Sequence, residues 1–375
     1  MISPEFFYQS LKSKGVEYFA GTPDSLLKSF CFYVSEHTPA SHHVIAANEG
    51  GAIGLAMGYH LATGGIPAVY MQNSGLGNAI NPLLSLGDPD VYSIPMILII
   101  GWRGEPGVKD EPQHLKQGRV TLALLEAMEI PYDVIDGDES LARAAISRAV
   151  ETAASQSRAY ALVVKGGAVG SFEPRVEGNK VFSYSREDVI DALVQRLDER
   201  HIVVATTGMI SRELFECRKR HGQGHDADFL TIGGMGHASQ IALEIATHKP
   251  DRQVICLDGD GALLMHMGSA AIAGTRAKGN FKHLVINNGA HDSVGGQPTV
   301  AQSIDLQSVF VGCGYSYVSL CVARGDLFEE IEWLLDAQGP ALLEIMVDKG
   351  ARSDLGRPSM DLKERLAGFM AFVSD

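Results

Sequence analysis

Val254–Leu264 reads VICLDGDGALL, an apolar run that passes straight into Asp258-Gly259-Asp260-Gly261. A continuous apolar run of this kind suits a strand covered on both faces, as in a parallel sheet. The carboxyl end of such a strand borders the ligand crevice of an α/β unit. Glycines there let backbone N–H groups approach a phosphate, and a following helix adds its positive end. Gly259, Gly261 and Ala262 suit that role. A carboxylate at the same point repels a bare phosphate. It makes sense when a divalent cation lies between them, because Mg2+ takes one or two carboxylates together with phosphate oxygens. Taken alone, an Asp-Gly pair after a strand is more often an ordinary turn.

A second strand end adds weight to the metal reading, although an Asn-Gly turn is again the plainer reading when it is taken alone. Leu284–Ile286 runs into Asn287-Asn288-Gly289-Ala290, and 25 residues separate Gly261 from Asn287. That length holds one helix and one strand, so the two strand ends can lie side by side. Asparagine adds a neutral carbonyl oxygen, a donor that Mg2+ accepts.

Further apolar runs at Ile66–Met71, Ile94–Ile100, Ala161–Val164, Ile202–Ala205 and Leu342–Val347 predict additional buried strands. Helical stretches fall between them at Gly51–Ala62, Leu115–Met128, Ser140–Ala153 and Leu263–Ala273. Alternating strands and helices imply parallel sheets in an α/β architecture. A Gly-rich, aperiodic stretch, KGGAVGSFEPRVEGNKVFSY (165–184), interrupts the pattern and reads as a connection. On each side of it a capped helix leads to a strand and a Gly/Thr turn. Ser3 and Pro4 suit the N-cap and first position of the first such helix.

The order G-D-G, about one helix and one strand, then N-N resembles the diphosphate-binding motif of thiamine-diphosphate enzymes. That resemblance implies two doubly wound parallel-sheet α/β domains of the thiamine-diphosphate-binding type, with no central third domain. They are expected at 1–170 (pyrimidine-binding) and 185–375 (diphosphate- and Mg2+-binding), joined by a linker at 171–184. It implies Asp260, Asn288 and the backbone carbonyl of Ala290 as Mg2+ ligands. VIAANEGGAIGLAMGYHLATGG (44–65) resembles the family's glutamate segment and implies that Glu49 bonds the cofactor's aminopyrimidine ring. A carboxylate that only steadies its own helix N-terminus is the plainer alternative. TIGGMGHASQIALEIA (231–246) resembles the segment whose bulky residue holds the cofactor bent, which points to Met235. ATTGMISREL (205–214) resembles the loop that contacts the diphosphate, through Thr207 and Gly208.

Within the family the chain resembles the 2-keto acid decarboxylases. GTPDSLL (21–27), RGEPGVKDEPQHLKQG (103–118) and NNGAHDSVGGQPT (287–299) carry that likeness. It favours 3-phosphonopyruvate over sulfopyruvate as substrate, with carboligation or a non-catalytic regulatory role as further alternatives. Arg103, Lys109 and His114 share the loop after Ile94–Ile100 and suit an anionic substrate tail. The plainer reading is a solvated surface loop. His114 and His291 titrate in a range suited to proton transfer. Asp24 resembles an active-site carboxylate of related decarboxylases, with the spacing from the glycine one residue shorter. Arg352 and Arg357 in KGARSDLGRP (349–358) either reach substrate or pair on the surface. His42, His43 and His266 read as structural. The resemblance also implies a homodimer or larger homo-oligomer with active sites at subunit interfaces.

Composition narrows the alternatives. A net charge of -14 provides no basic excess for nucleic acid or an anionic membrane. No apolar run is long enough to span a bilayer. Cys31, Cys217, Cys256, Cys313 and Cys321 show no metal-finger spacing and suit free thiols in a reducing, cytoplasmic setting. GGMGHA lacks the G-x-G-x-x-G spacing of a nicotinamide site.

Overall fold

The computed structural model describes residues 1–174, 181–322, 326–358 and 361–374. The chain divides into two units, Met1–Glu177 and Gly178–Asp375. Residues 175–180 of the expected linker lie outside the described residues.

The first unit carries six strands: β1 (Phe19–Gly21), β2 (His43–Ile45), β3 (Ala68–Gln72), β4 (Met96–Gly101), β5 (Tyr132–Ile135) and β6 (Ala159–Val164). They form one parallel sheet in the order β2-β1-β3-β4-β6-β5. The second unit carries β7 (His201–Ala205), β8 (Asp228–Leu230), β9 (Gln253–Gly259), β10 (Phe281–Asn287), β11 (Tyr317–Cys321) and β12 (Ala341–Met346). These also pair in parallel, in the order β11-β12-β10-β9-β7-β8. Numbered within its own unit, each sheet therefore has the same strand order. In both, the order reverses between the first and third strands, which is the switch point where open α/β sheets bind ligands.

Every apolar run singled out in the sequence is a strand, because central parallel strands bury both faces. All six residues of β4 are buried. Ile97 and Ile99 pack on one side of the first sheet with Phe19 and Tyr70, while Leu98 and Ile100 pack on the other with Met71 and Ile53. The second sheet is likewise faced by two apolar layers. The helices begin with the expected chemistry. Ser3 Oγ accepts from Phe6 N at 3.0 Å, and Ser185 with Asp188 forms a reciprocal capping box.

The helix expected over Leu263–Ala273 is instead two helices, Asp260–Met265 and Ser269–Arg276. His266 leaves helical geometry (φ -135°, ψ 44°) and its ring stacks on His237, with centroids 4.6 Å apart. The first helix therefore has only 6 residues. The longer helix at this switch point is Met209–Arg220, which begins directly after Gly208.

Phe281 opens β10 fully buried, with its ring edge-on to those of His283 and Tyr315. Phe281→Ala is expected to destabilise the second unit by about 3–5 kcal/mol. Denaturant unfolding would show a lower midpoint at unchanged slope.

Candidate active site

In the second unit, β9 and β10 pair through Ile286 and Gly259, so Asp260 and Asn288 emerge from adjacent strand tips. The Asp260 carboxyl is buried at 2% exposure. Burial pushes it up to about 6, against hydrogen bonds from the Thr299 hydroxyl and the backbone amides of Gly261 and Asn288. A buried carboxylate held this way gains from a cation beside it.

The two asparagines divide the work. Asn287 is fully buried; its Nδ2 donates to Glu344 Oε1 at 2.6 Å and its Oδ1 accepts from Gly289 N at 3.0 Å. It shapes the turn. Asn288 Nδ2 donates to Asp292 Oδ2 at 2.7 Å, and its Oδ1 accepts from Ala290 N at 3.1 Å. The turn then folds back, because Ala290 bridges Pro298 and Thr299 N donates to Gly289 O at 2.9 Å. That return brings Thr299 onto Asp260.

Gly261 is required by close approach. A Cβ there would lie 2.7 Å from His291 Nδ1 and 3.5 Å from Met235 Cε. His291 and Met235 therefore flank the same point of the Asp260–Gly261 turn. Burial lowers the His291 imidazole to about 4, so it is neutral near pH 7. Gly208 adopts φ +95°, and a Cβ on it would lie 3.1 Å from Ser293 Cβ, which sets Thr207-Gly208 against the turn that follows His291. Thr206 Oγ1 and both amide atoms of Gln297 are buried without a hydrogen-bond partner. Orphaned polar atoms on the two loops around Asp260 fit a polar ligand that completes them. Gly259 and Ala262 belong to the same turn. The oxygen-only set of Asp260, Asn288 and the Ala290 carbonyl suits Mg2+.

The first unit has its own cluster. Glu49 is the first residue of helix Glu49–Thr63, directly after the N-cap Asn48, whose Oδ1 accepts from Gly51 N at 2.8 Å. Its carboxylate is buried at 6% exposure. Oε1 accepts from Thr22 Oγ1 at 3.1 Å and Oε2 from Asn78 Nδ2 at 2.8 Å. Gly75 leaves the room, since a Cβ there would lie 2.4 Å from Glu49 Oε1. Asp24, past the tip of β1, is fully buried. Its Oδ1 accepts from Gln72 Nε2 at 2.7 Å and its Oδ2 from Leu27 N at 3.2 Å. Burial raises its carboxyl, and hydrogen bonds from Gln72 and the backbone, with the Arg103 charge, pull it back.

The cationic loop is less free than its sequence suggests. Arg103 Nε donates to Asp110 Oδ2 at 2.8 Å and Nη1 to Ser25 Oγ at 2.8 Å. Asn73 clamps the Arg103 backbone from both sides, through Nδ2 to Arg103 O at 2.8 Å and Arg103 N to its Oδ1 at 3.1 Å. Lys109 is exposed. His114 is half-buried and its Nδ1 has no hydrogen-bond partner; burial, then the Arg103 charge, lower its imidazole. Arg352 pairs with Glu187, Glu216 and Asp354, all in its own unit. Arg357 has an interaction of its own.

Sequence reasoning missed Thr22, Asn78, Gln72, Gln297 and Thr299. Thr22 stood inside the quoted stretch GTPDSLL, and Gln297 and Thr299 inside NNGAHDSVGGQPT. Gln72 and Asn78 carry no local signal.

Each unit thus gathers buried polar groups at the switch point of a doubly wound sheet, and the second offers an oxygen donor set for a metal-bridged diphosphate. Two family models match accordingly. The N-terminal TPP binding domain of thiamine pyrophosphate enzymes covers residues 4–124, and the C-terminal TPP binding domain covers 206–345. The chain belongs to the thiamine pyrophosphate enzymes, as a 2-keto acid decarboxylase. Phosphonopyruvate decarboxylases of Streptomyces viridochromogenes and Streptomyces hygroscopicus are 35% and 34% identical to it, over 100% of this chain and 96% and 95% of theirs. A sulfopyruvate decarboxylase of Methanosarcina acetivorans is 29% identical over 81% of this chain and 80% of its own. Among the described residues no helix is long and apolar enough to cross a membrane.

Gly261→Ala should weaken thiamine diphosphate binding at least tenfold, since the new methyl meets the His291 ring. Cofactor titration would read the loss, and an unchanged near-ultraviolet circular dichroism spectrum would show that the fold is kept.

Proposed function

We propose that the protein decarboxylates 3-phosphonopyruvate to phosphonoacetaldehyde and CO2, using thiamine diphosphate held through Mg2+. The observation that carries the site is the buried Asp260 carboxylate, pushed up to about 6 and set beside Asn288 at the adjoining strand tip. The full-length similarity to two phosphonopyruvate decarboxylases supports the substrate.

In this reading Asp260, Asn288 and the Ala290 carbonyl hold Mg2+. Gly259, Gly261, Ala262, Thr207 and Gly208 line the diphosphate, and Met235 supports the bend between the cofactor's rings. Glu49 bonds the aminopyrimidine ring; Thr22 and Asn78 hold its carboxylate in place for that bond. The bound cofactor supplies the electron sink for the pair left by departing CO2. His291 and His114 are both pushed below the usual imidazole range, which leaves them weaker proton acceptors than an ordinary histidine. Asp24, whose carboxyl is raised by burial, lies in the first unit with Gln72 Nε2 and Leu27 N donating to it. Lys109 offers an exposed cation to the phosphonate. Arg103, already spent on Asp110, contributes by shaping the loop.

Assembly belongs to the same proposal. Helix Glu49–Thr63 exposes Gly51, Gly54, Leu55, Gly58 and Leu61, with Leu61 at 74%, an apolar small-residue face suited to a second copy. The protein acts as a cytoplasmic homodimer or larger homo-oligomer, with active sites at the subunit interface. Its cysteines are free, in keeping with a reducing compartment.

The test is CO2 release from phosphonopyruvate, sulfopyruvate and pyruvate, with the aldehyde product identified. Phosphonopyruvate should be strongly preferred; preference for sulfopyruvate would reassign the substrate. Glu49→Gln should lower turnover by on the order of 10²- to 10⁴-fold. A wild-type rate in that variant would refute the role of Glu49.

A further inference from the structure

Arg186 is a buried cation that the reaction above does not use. Its side chain is 4% exposed, and it sits in the first turn of helix Arg186–Val194. Nε donates to Glu213 Oε2 at 2.7 Å and Nη2 to Glu213 Oε1 at 2.9 Å, a forked pair. Its remaining nitrogen, Nη1, donates to Asp292 Oδ2 at 2.8 Å. The same Asp292 oxygen accepts from Asn288 Nδ2 at 2.7 Å and from Gly350 N at 2.8 Å. Arg186 Nη2 also reaches the Gly350 carbonyl at 3.2 Å.

We infer that Arg186 is a positioning residue for the metal ligand Asn288, acting through Asp292. The inference rests on the Mg2+ site proposed above. An asparagine amide can present oxygen or NH2 to a cation, and only the oxygen ligates. Asp292 Oδ2 accepts from three N–H donors, Asn288 Nδ2 among them. Asp292 therefore takes the NH2 end of Asn288 and leaves Oδ1 as the end available to a metal. Arg186 Nη1 and Gly350 N both donate to the same Asp292 oxygen, so that oxygen is fixed in place against Asn288 Nδ2. Glu213 fixes the guanidinium in turn, and it lies on helix Met209–Arg220, which starts at the Thr207-Gly208 loop. Four segments of the second unit thus meet on one chain of charge-assisted bonds. Partners behind a metal ligand commonly set metal affinity by 10- to 100-fold.

The test is a Mn2+ titration followed by the electron paramagnetic resonance of the free ion, on full-length protein with thiamine diphosphate. Removing Arg186 alone would strand Glu213 as an unpaired buried charge, so the variant is Arg186→Met with Glu213→Gln. Its Mn2+ affinity should fall 10- to 100-fold. Asp292→Asn, a smaller change, should fall in the same direction. The control is Arg218→Met with Asp228→Asn, which removes another buried pair of the same unit that does not reach Asn288. It should stay within about twofold of wild type, since nothing it touches contacts the metal ligand. Wild-type affinity in the Asp292 variant, or an equal loss in both double variants, would overturn the positioning role. If the Arg186 double variant does not fold, Asp292→Asn against the control decides. Asp260→Asn separates the two claims: if it binds Mn2+ as wild type does, the metal site itself is misplaced.

Discussion

The second unit turns on one costly arrangement, a carboxylate buried at the tip of a parallel strand. Asp260 is almost without solvent, and its hydrogen bonds do not restore an ordinary acidity. An ionised group in that position is sustained by a cation. The surrounding features follow from it. β10 must lie beside β9 so that Asn288 arrives with a neutral oxygen, and the turn after β10 must double back so that Thr299 meets the carboxylate. Gly261 must lack a side chain, because His291 occupies that space.

The first unit uses the same strand order for a different task. Its buried carboxylates, Glu49 and Asp24, are held by neutral side-chain donors: Thr22 and Asn78 for one, Gln72 for the other. One topology thus holds buried carboxylates at its strand ends in both units, with different neighbours in each. The fold supplies the crevice, and the residues at the strand ends supply the chemistry.

Much of this was legible before any coordinates, for identifiable reasons. Central strands announced themselves because burial on both faces demands unbroken apolar runs. Edge strands did not: β2, β5 and β11 are half-exposed along most of their length, and β8 has only 3 residues, as does the interior strand β1. The break at His266 was hidden because what accompanies it, ring stacking on His237, is a tertiary contact. Asp260, Asn288 and Glu49 were singled out in the sequence because the motifs that carry the family resemblance include them. Their partners were not, since Thr299 stands 39 residues from Asp260, and Thr22 and Asn78 stand 27 and 29 from Glu49. The Arg103 loop looked like a free anion trap because sequence does not show that Asp110 already holds it.

The central claim is that Asp260 serves a cation-bridged diphosphate. Calorimetric titration of thiamine diphosphate into metal-free protein, with Mg2+ or with a chelator, for the wild type and Asp260→Ala, tests it most directly. The account predicts binding to the wild type only with Mg2+ and no binding to the variant in either condition. Tight binding in chelator that survives Asp260→Ala would contradict it.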